Sequence, residues 1–427
     1  MSISDFFVSE IDYDQLPDEN ILCVDMKSFY ASIECSRRGL DPFTTCLAVV
    51  GDRSRRGSVV LAATPRVKEK YDLGTGSRLY EIPENSEIKV VEGRMGVYLR
   101  VSTALTRLFT EFVPFEAIQV YSIDESWLQL DNSPERLGDS WETARQIRQA
   151  LREKFDLPCS MGLGPNMFLS KVAMDIEGKK RGLVEWRYED VPDKLWPIPL
   201  EECWGIGHKL AQKFRQGGVK TVGDLARLSR SYLEQRFGIM GSQLYYHARG
   251  IDLSRVRDKF THQPRNLGKG ITLFKDYTDP REIKTVIFDL SEQAAHRARE
   301  YNLIGKTVSL GITYSHRELE KGFYRQKTRP EYTNLTGDIY ETCVELFAEN
   351  YEGQAVRRVR VTLGNFVKDS SLRLNLFAPG KINQVELGQI KDELEKKFGP
   401  RALFFARSLL GGGVRERIKK TIGGQRR

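Results

Sequence analysis

Ile21-Leu22-Cys23-Val24-Asp25-Met26, followed after Lys27 by Ser28-Phe29-Tyr30-Ala31-Ser32-Ile33-Glu34, is the stretch that decides the fold. It is an apolar run that ends on an acid and turns at once into small and aromatic residues. A second stretch, Tyr121-Ser122-Ile123-Asp124-Glu125-Ser126, has a related build. Three carboxylates, each at a strand end or turn, are what a pair of hard divalent cations needs. Two such cations can activate an attacking hydroxyl and stabilise a leaving phosphate in line with it. Each acid alone is equally what an ordinary turn carries; the two motifs together favour the metal reading.

Outward from these motifs, residues 20–188 alternate between strand and helix patterns. Apolar runs at 21–26, 117–123, 126–130, 159–163 and 182–186 predict strands. From Met95 to Val113, Val97, Val101, Ala104, Leu105, Leu108 and Phe112 recur at helical steps. Trp141 to Phe155 predicts a second helix, capped by Asp139 or Ser140. The order strand, helix, strand, strand, helix, strand is a split βαβ sheet. Its central strands are neighbours, so the two acid motifs converge on one edge. Between the first strand and first helix, residues 31–92 carry strand-like 45–50 and 58–63 around a basic turn, Gly51-Asp52-Arg53-Ser54-Arg55-Arg56-Gly57. A small lobe projecting from the sheet is expected there.

Residues 189–254 change character. Cys203-Trp204-Gly205-Ile206-Gly207-His208-Lys209 precedes a helical stretch, then Gly217-Gly218-Val219-Lys220-Thr221-Val222-Gly223-Asp224-Leu225. This is a helix-hairpin-helix pattern, in which Gly205 and Gly207 let a tight turn expose backbone N–H groups beside Lys209. Such a turn can hold a phosphate without reading sequence. Residues 255–261 look like a charged tether. A second split βαβ pattern follows, with strands near 268–274, 304–314, 321–328 and 355–366 and helices near 280–301 and 338–350. Residues 255–330 hold 16 Lys/Arg against 9 Asp/Glu, so a basic sheet face that tracks a polyanion is expected. Beyond it come Leu374-Asn375-Leu376-Phe377-Ala378-Pro379-Gly380, a helix near 383–398, and a basic end from Arg415 expected to be mobile.

The bulk properties agree. A chain of 427 residues makes several domains. Hydrophobic content of 40%, charged content of 29% and a net charge of +8 describe a globular protein suited to a polyanionic partner. Six cysteines without a C-x-x-C pair, and few histidines, argue against a zinc site or disulfide framework and for a reducing cytoplasm. The N-terminus carries no signal-peptide pattern, and no apolar stretch is long enough to span a membrane.

Taken together, the motifs resemble the Y-family of translesion DNA polymerases over nearly the whole chain, nearest the bacterial branch containing the catalytic subunit of DNA polymerase V. Cys23 to Ser32 resembles the family's first metal motif and Tyr121 to Ser126 its second. The spacing between them and the stretch Gly238 to Asp252 also fit. The resemblance implies an α+β right hand: a palm at 20–30 and 92–188, fingers at 31–91, a helix-hairpin-helix thumb at 189–254, a little finger at 255–370 and a C-terminal tail at 371–427. It implies two Mg2+ ions held by Asp25, Asp124, Glu125 and the Met26 carbonyl, with the three acids catalytic. Phe29 and Tyr30 would line the nucleotide sugar, Tyr30 being the steric gate that excludes a ribose 2′-OH. Lys179, or Lys180 because of one extra residue, would contact the triphosphate. The fingers depart from the family pattern. Where a Tyr and an Arg are usual, Arg66 and Glu69 stand, so Arg66 or Lys68 is expected to supply the charge. Arg373-Leu374-Asn375-Leu376-Phe377 resembles the pentapeptide that docks bacterial polymerases on the sliding clamp, with Arg for the usual Gln; Leu376 and Phe377 would otherwise be packing residues.

The implied activity is low-fidelity, DNA-directed DNA synthesis past damaged bases, in DNA repair and damage-induced (SOS) mutagenesis. Its partners would be primer-template DNA, deoxynucleoside triphosphates, the sliding clamp and, in some members, an accessory damage-response subunit. Two alternatives stand beside it: a catalytically silent damage-binding scaffold, and a nucleotide cyclase, which also hangs carboxylates on a split βαβ sheet.

Overall fold

The computed structural model describes residues 11–130, 139–258, 264–369, 380–399 and 402–415, and the backbone of 421–422 and 425–426. Two compact units divide the chain after Phe260.

The first unit is built on β1 (Ile21–Met26). Ile21 to Val24 are at most 1% exposed, because β1 is covered on both faces, which is why its sequence is a continuous apolar run. Leu22, Val24 and Met26 enter one core; Ile21 and Cys23 enter another with Trp127, Met167 and Met174. Asp25 shares the second face by alternation. After β1 the chain turns through Ser28, held at φ +49°, into α1 (Phe29–Ser36). Sequence reading placed α1 mostly with the small lobe, yet its Ala31, Ile33 and Cys35 are buried in the core shared with β1.

The small lobe holds β2 (Leu47–Val50), β3 (Val60–Ala63), α2 (Pro65–Tyr71) and β4 (Lys89–Glu92). Its strand order is β3-β2-β4, with β4 parallel to β2. The chain returns through α3 (Met95–Phe109), β5 (Ile118–Val120), β6 (Glu125–Gln129), α4 (Ser140–Phe155) and β7 (Cys159–Gly164). Asp139 caps α4, its carboxylate accepting from the Glu142 N–H at 2.8 Å. Next come α5 (Met167–Ala173), a π turn (Met174–Gly178), a last helical turn (Lys179–Arg181) and β8 (Leu183–Glu185). The sheet order β5-β6-β1-β7-β8 puts β1 between the strands of both crossovers, the predicted split βαβ arrangement. Gly162 lets α5 lie directly on β7, since a Cβ there would meet the Ser170 carbonyl oxygen at 2.2 Å.

Helices α6 (His208–Gln216), α7 (Val222–Ala226), α8 (Arg230–Phe237) and α9 (Ile239–His247) complete this unit. Their core joins Phe168 and Leu169 of α5 to Ala211, Phe214, Leu225 and Leu244.

The second unit contains β9 (Asn266–Tyr277), α10 (Pro280–Glu300), β10 (Leu303–Tyr314), β11 (Gly322–Thr333), α11 (Thr336–Asn350), β12 (Val356–Lys368) and α12 (Gly380–Phe398). The order β11-β10-β12-β9 is again a split βαβ sheet, but its first strand lies at the edge, whereas β1 is central in the first sheet.

Two expectations change here. The basic residues Arg325, Lys327 and Arg329 alternate onto the face that α11 covers. They reach Asn350, Glu345 and Asp338 at 3.1, 2.8 and 3.4 Å. The face away from the helices carries exposed Arg358 and Arg360 among Gly270, Thr272 and Gly311. Arg415 does not open a mobile end. Its side chain is 2% exposed in a buried network with Glu292, Lys391 and Glu395. Nearby, Asp289 accepts from Ser408 Oγ at 2.6 Å and from the Val414 and Arg415 N–H groups at 2.7 and 2.9 Å. The Leu374, Leu376 and Phe377 segment lies outside the described residues.

A candidate active site at the centre of the first sheet

Strand register brings the acids together. Asp25 on β1 sits opposite Glu125 on β6, and the Met26 N–H donates to the Asp124 carbonyl at 2.9 Å. Ser122 Oγ donates to Asp124 Oδ1 at 2.6 Å, which fixes the turn into β6. Met26 is buried, so only its backbone carbonyl, and not its side chain, has the chemistry to serve as a ligand here. Burial, then the charge of Asp124, pushes the Asp25 carboxyl up to about 7, with Glu125 adding to the rise and Lys171 and Lys179 opposing it.

The trio is not a closed cage. Among the described residues no three His, Cys, Asp or Glu side chains form a group able to hold a metal ion as they stand. Glu125 explains this: it is buried and turned toward α5, where Lys171 Nζ lies 2.8 Å from Oε1. Cys23 Sγ is 3.5 Å from the same oxygen. A cation bound beside Asp25 could therefore take from Glu125 only Oε2 or a rotated side chain. The donor set is all oxygen, mutually repelling and partly buried, so it fits hard divalent cations, which relieve that repulsion.

A prediction follows from Asp25. Between about pH 4 and 7 the native state without metal keeps a proton that the unfolded chain has released. Its stability therefore falls as pH rises through that window, and a cation must displace the proton below pH 7. The gain in thermal midpoint on adding Mg2+ should be larger at pH 8 than at pH 6. An equal gain would mean that Asp25 is already ionised in the native state.

Lysines ring the acids. Lys179 Nζ pairs with Asp175 Oδ1 at 2.8 Å, and Lys171 Nζ reaches Asp175 Oδ2 at 3.1 Å. Burial works against the Lys171 charge, but Cys23, Glu125 and Asp175 outweigh it and hold its pKa above the ordinary lysine value. Lys179, not Lys180, makes the Asp175 contact, and Lys27 Nζ donates to its carbonyl at 2.8 Å. In the small lobe, Lys68 Nζ reaches Ser28 Oγ at 3.2 Å, whereas Arg66 pairs with Glu69 at 3.7 Å on an exposed face. Burial, then the neighbouring Lys179 charge, lowers the Lys68 pKa, while Asp25 raises it. Lys68 is thus the cation brought to the acids and Arg66 is not. Lys171 and Asp175 were not anticipated, although the i, i+4, i+8 spacing of Lys171, Asp175 and Lys179 was a readable signal.

Of the two aromatics, Phe29 is 2% exposed in the core, so it does not line the site. Tyr30 is half-buried, and burial, then the Asp124 charge, raises its pKa. The glycine turn lies elsewhere in the same unit. Gly205 has φ +88°, Gly207 begins α6 without a side-chain cap, and Lys209 is exposed. Trp204, just before this turn, packs on Tyr121 and Trp127 with ring centroids 6.0 and 5.8 Å apart. The turn therefore springs from the aromatic residues behind the second acid motif.

Comparison with known proteins agrees with this geometry. Residues 24–175 match the model of the impB/mucB/samB family, and 264–376 match the model of its C-terminal domain. Residues 203–252 match a model described as the thumb domain of DNA polymerase iota. UvrX, a protein of Bacillus subtilis (strain 168) named for UV-damage repair, is 45% identical over 97% of this chain and 100% of its own. DNA polymerase IV 2 of Halalkalibacterium halodurans is 33% identical over 95% of this chain and 99% of its own. A solved chimera of the Y-family DNA polymerases Dbh and Dpo4 shares the fold, with a TM-score of 0.67 at 22% identity, covering 82% of this chain and 99% of that one.

Proposed function

The chain belongs to the Y-family of translesion DNA polymerases, and from that membership we propose that Asp25, Asp124 and Glu125 form its nucleotidyl-transfer centre. It is a DNA-directed DNA polymerase with a role in DNA repair, acting on primer-template DNA with nucleotide substrates. The observation that carries the site assignment is the pairing of Asp25 with Glu125 in register, with Asp124 hydrogen-bonded to the same strand end.

Two Mg2+ ions, held by the three carboxylates and the Met26 carbonyl, would activate the primer 3′-hydroxyl and offset charge on the phosphates. The protein's own groups do the rest. Lys179, Lys68 and Lys27 face the acids and draw in the triphosphate. Lys171 fixes Glu125 from behind. Tyr30 stands beside Asp124 as the steric gate under the sugar. The primer hydroxyl attacks the α-phosphate and pyrophosphate leaves. Gly205, Gly207 and Lys209 would hold a DNA phosphate at the start of α6, and Arg358 and Arg360 supply charge on the open face of the second sheet. Residues 20–30 and 92–188 correspond to the palm, 31–91 to the fingers, 189–254 to the thumb, 255–370 to the little finger and 371–427 to the tail. Low-fidelity synthesis in a damage-induced (SOS) setting in the cytoplasm fits this reading, and no helix among the described residues is long and apolar enough to cross a membrane.

Primer extension with purified protein, with and without Mg2+, tests the centre. Insertion should require the divalent ion. Tight primer-template binding without insertion in Mg2+ or Mn2+ would overturn the assignment and favour a damage-binding scaffold.

The pentapeptide Arg373 to Phe377 would bind the sliding clamp through Leu374, Leu376 and Phe377, and an accessory damage-response subunit is a further candidate partner. Tethering raises the effective concentration at the primer end without new template contacts. Replacing Leu376 and Phe377 by alanine should leave single-nucleotide insertion unchanged and remove stimulation by the clamp. A double mutant that is also inactive without the clamp would assign these residues to packing.

A further inference from the structure

We propose that Tyr98 and Glu34 set the sugar selectivity of this polymerase by holding the ring of Tyr30 rigid; the inference rests on the reading of Tyr30 as the gate. The rings of Tyr30 and Tyr98 lie face to face, with centroids 4.4 Å apart and planes 13° from parallel. Tyr98 is 0% exposed although it carries a hydroxyl, and that hydroxyl donates to Glu34 Oε1 at 2.9 Å. Glu34 is itself 0% exposed. A carboxylate so placed needs charge partners, and it has two. Arg94 Nε donates to Oε1 at 3.0 Å, Arg94 Nη2 also reaches Oε2, and Arg38 Nη1 closes on Oε2. Burial alone would raise the Glu34 pKa, but Arg94, Arg38 and Tyr98 outweigh it and keep the group ionised.

The arrangement has a direction. Tyr30 and Glu34 stand four residues apart on α1, and Arg38 follows four residues later, just past the end of the helix. Arg94 immediately precedes α3 and Tyr98 stands on its first turn, while Met95 Sδ lies 4.0 Å from the Tyr30 hydroxyl. The α1 helix thus presents the gate, and α3 supplies the wall behind it. Glu34 bolts the two helices together at the point where the rings meet.

A ring can exclude a 2′-OH only if it does not yield. Tyr30 is half-buried and borders the site, and the face of its ring is supported by the stacked Tyr98 ring. Tyr98 in turn cannot slide, because its hydroxyl is tied to a carboxylate held from two sides. A fully satisfied buried network of this kind acts as a unit, and loosening one member loosens the rest. Among the described residues, neither Tyr98 nor Glu34 hydrogen-bonds or pairs with the acids or lysines of the site. Their effect should therefore appear in discrimination rather than in chemistry alone. In this reading they are positioning residues.

The test is the ratio of kcat/KM for ribonucleotide to that for the matching deoxynucleotide, on an undamaged primer-template with the full chain. Five proteins are compared: wild type, Tyr30→Ala, Tyr98→Leu, Tyr98→Phe and the double variant Tyr30→Ala/Tyr98→Leu. Tyr98→Leu removes the stacked ring, and the ratio should rise about tenfold, the scale at which an aromatic pair contributes. Tyr98→Phe keeps the ring but cuts the tie to Glu34, so its ratio should lie between wild type and Tyr98→Leu. The double variant Tyr30→Ala/Tyr98→Leu should discriminate no worse than Tyr30→Ala, because the support has no function once the gate is gone. If Tyr98→Leu does not fold, Tyr98→Phe carries the test, since it keeps the ring volume. A merely structural Tyr98 would lower both rates together and leave the ratio at the wild-type value in both variants, which overturns the inference. If Tyr30→Ala itself leaves the ratio unchanged, the gate reading falls, and this inference falls with it.

Discussion

Asp124→Asn should abolish nucleotide insertion while primer-template binding stays near wild type. A metal ligand acts on charge that develops during transfer, so its loss should cost several kcal/mol in the barrier, on the order of a thousandfold in rate. Asp124 is the cleanest of the three acids to change. It is half-buried and bonded to Ser122, and among the described residues it makes no ion pair that the substitution would lose. Glu125→Ala should be as inactive but for two reasons, since it also strips a partner from buried Lys171. The pair of variants separates chemistry from architecture. Asp124→Asn should unfold like wild type, whereas Glu125→Ala should unfold earlier. Single-turnover insertion near the wild-type rate in Asp124→Asn would sink the metal assignment.

Arg415→Met should have the largest effect on stability. Lys391, Glu292, Glu395 and Arg415 form a ring of alternating charge, and each side chain is at most 5% exposed. Arg415 Nη1 lies 3.0 Å from Glu292 Oε2 as an ion pair rather than an aligned hydrogen bond, and Nη2 closes on Glu395. Removing Arg415 leaves two buried carboxylates against one ammonium. Breaking a buried pair from one side typically costs about 3–5 kcal/mol, because the partner's charge stays behind uncompensated. Urea unfolding of the full chain should show that loss in the transition of the second unit. The double variant Arg415→Met/Glu395→Leu removes one positive and one negative charge and should recover much of it. A loss below about 1 kcal/mol, the scale of a surface pair, would mean that water already reaches this network.

Much of this was legible in the residues, and the gaps have physical causes. The first sheet could be read because β1 is an unbroken apolar run and α3 and α4 keep helical spacing. The α1 helix was missed because it is eight residues long and starts from a left-handed serine without a side-chain cap. In the small lobe, β4 is four residues flanked by charge, too short for a period to show. Position in a motif placed Arg66 at the site, but Pro65 opens α2 and so turns Arg66 outward and Lys68 inward. Counting charge found basic residues on β11. Alternation says that Arg325, Lys327 and Arg329 share a face but not which face a helix will cover. The Glu125–Lys171 contact depends on α5 lying close over β7, which Gly162 permits and no local pattern announces.

The π turn at Met174–Gly178 makes chain length an adjustable variable at this centre. A π turn holds one residue more than the α-helical turn it replaces, so losing one residue there would restore the α-helix and leave the segments on either side where they are. Lys171, upstream, would keep its hold on Glu125. Only side chains within the turn would be re-aimed, and among them is Asp175, which joins Lys171 to Lys179. A single codon lost could therefore change how the two lysines are tied together while the acid floor stays untouched, because the turn is a slip joint between the two ends of one helical segment.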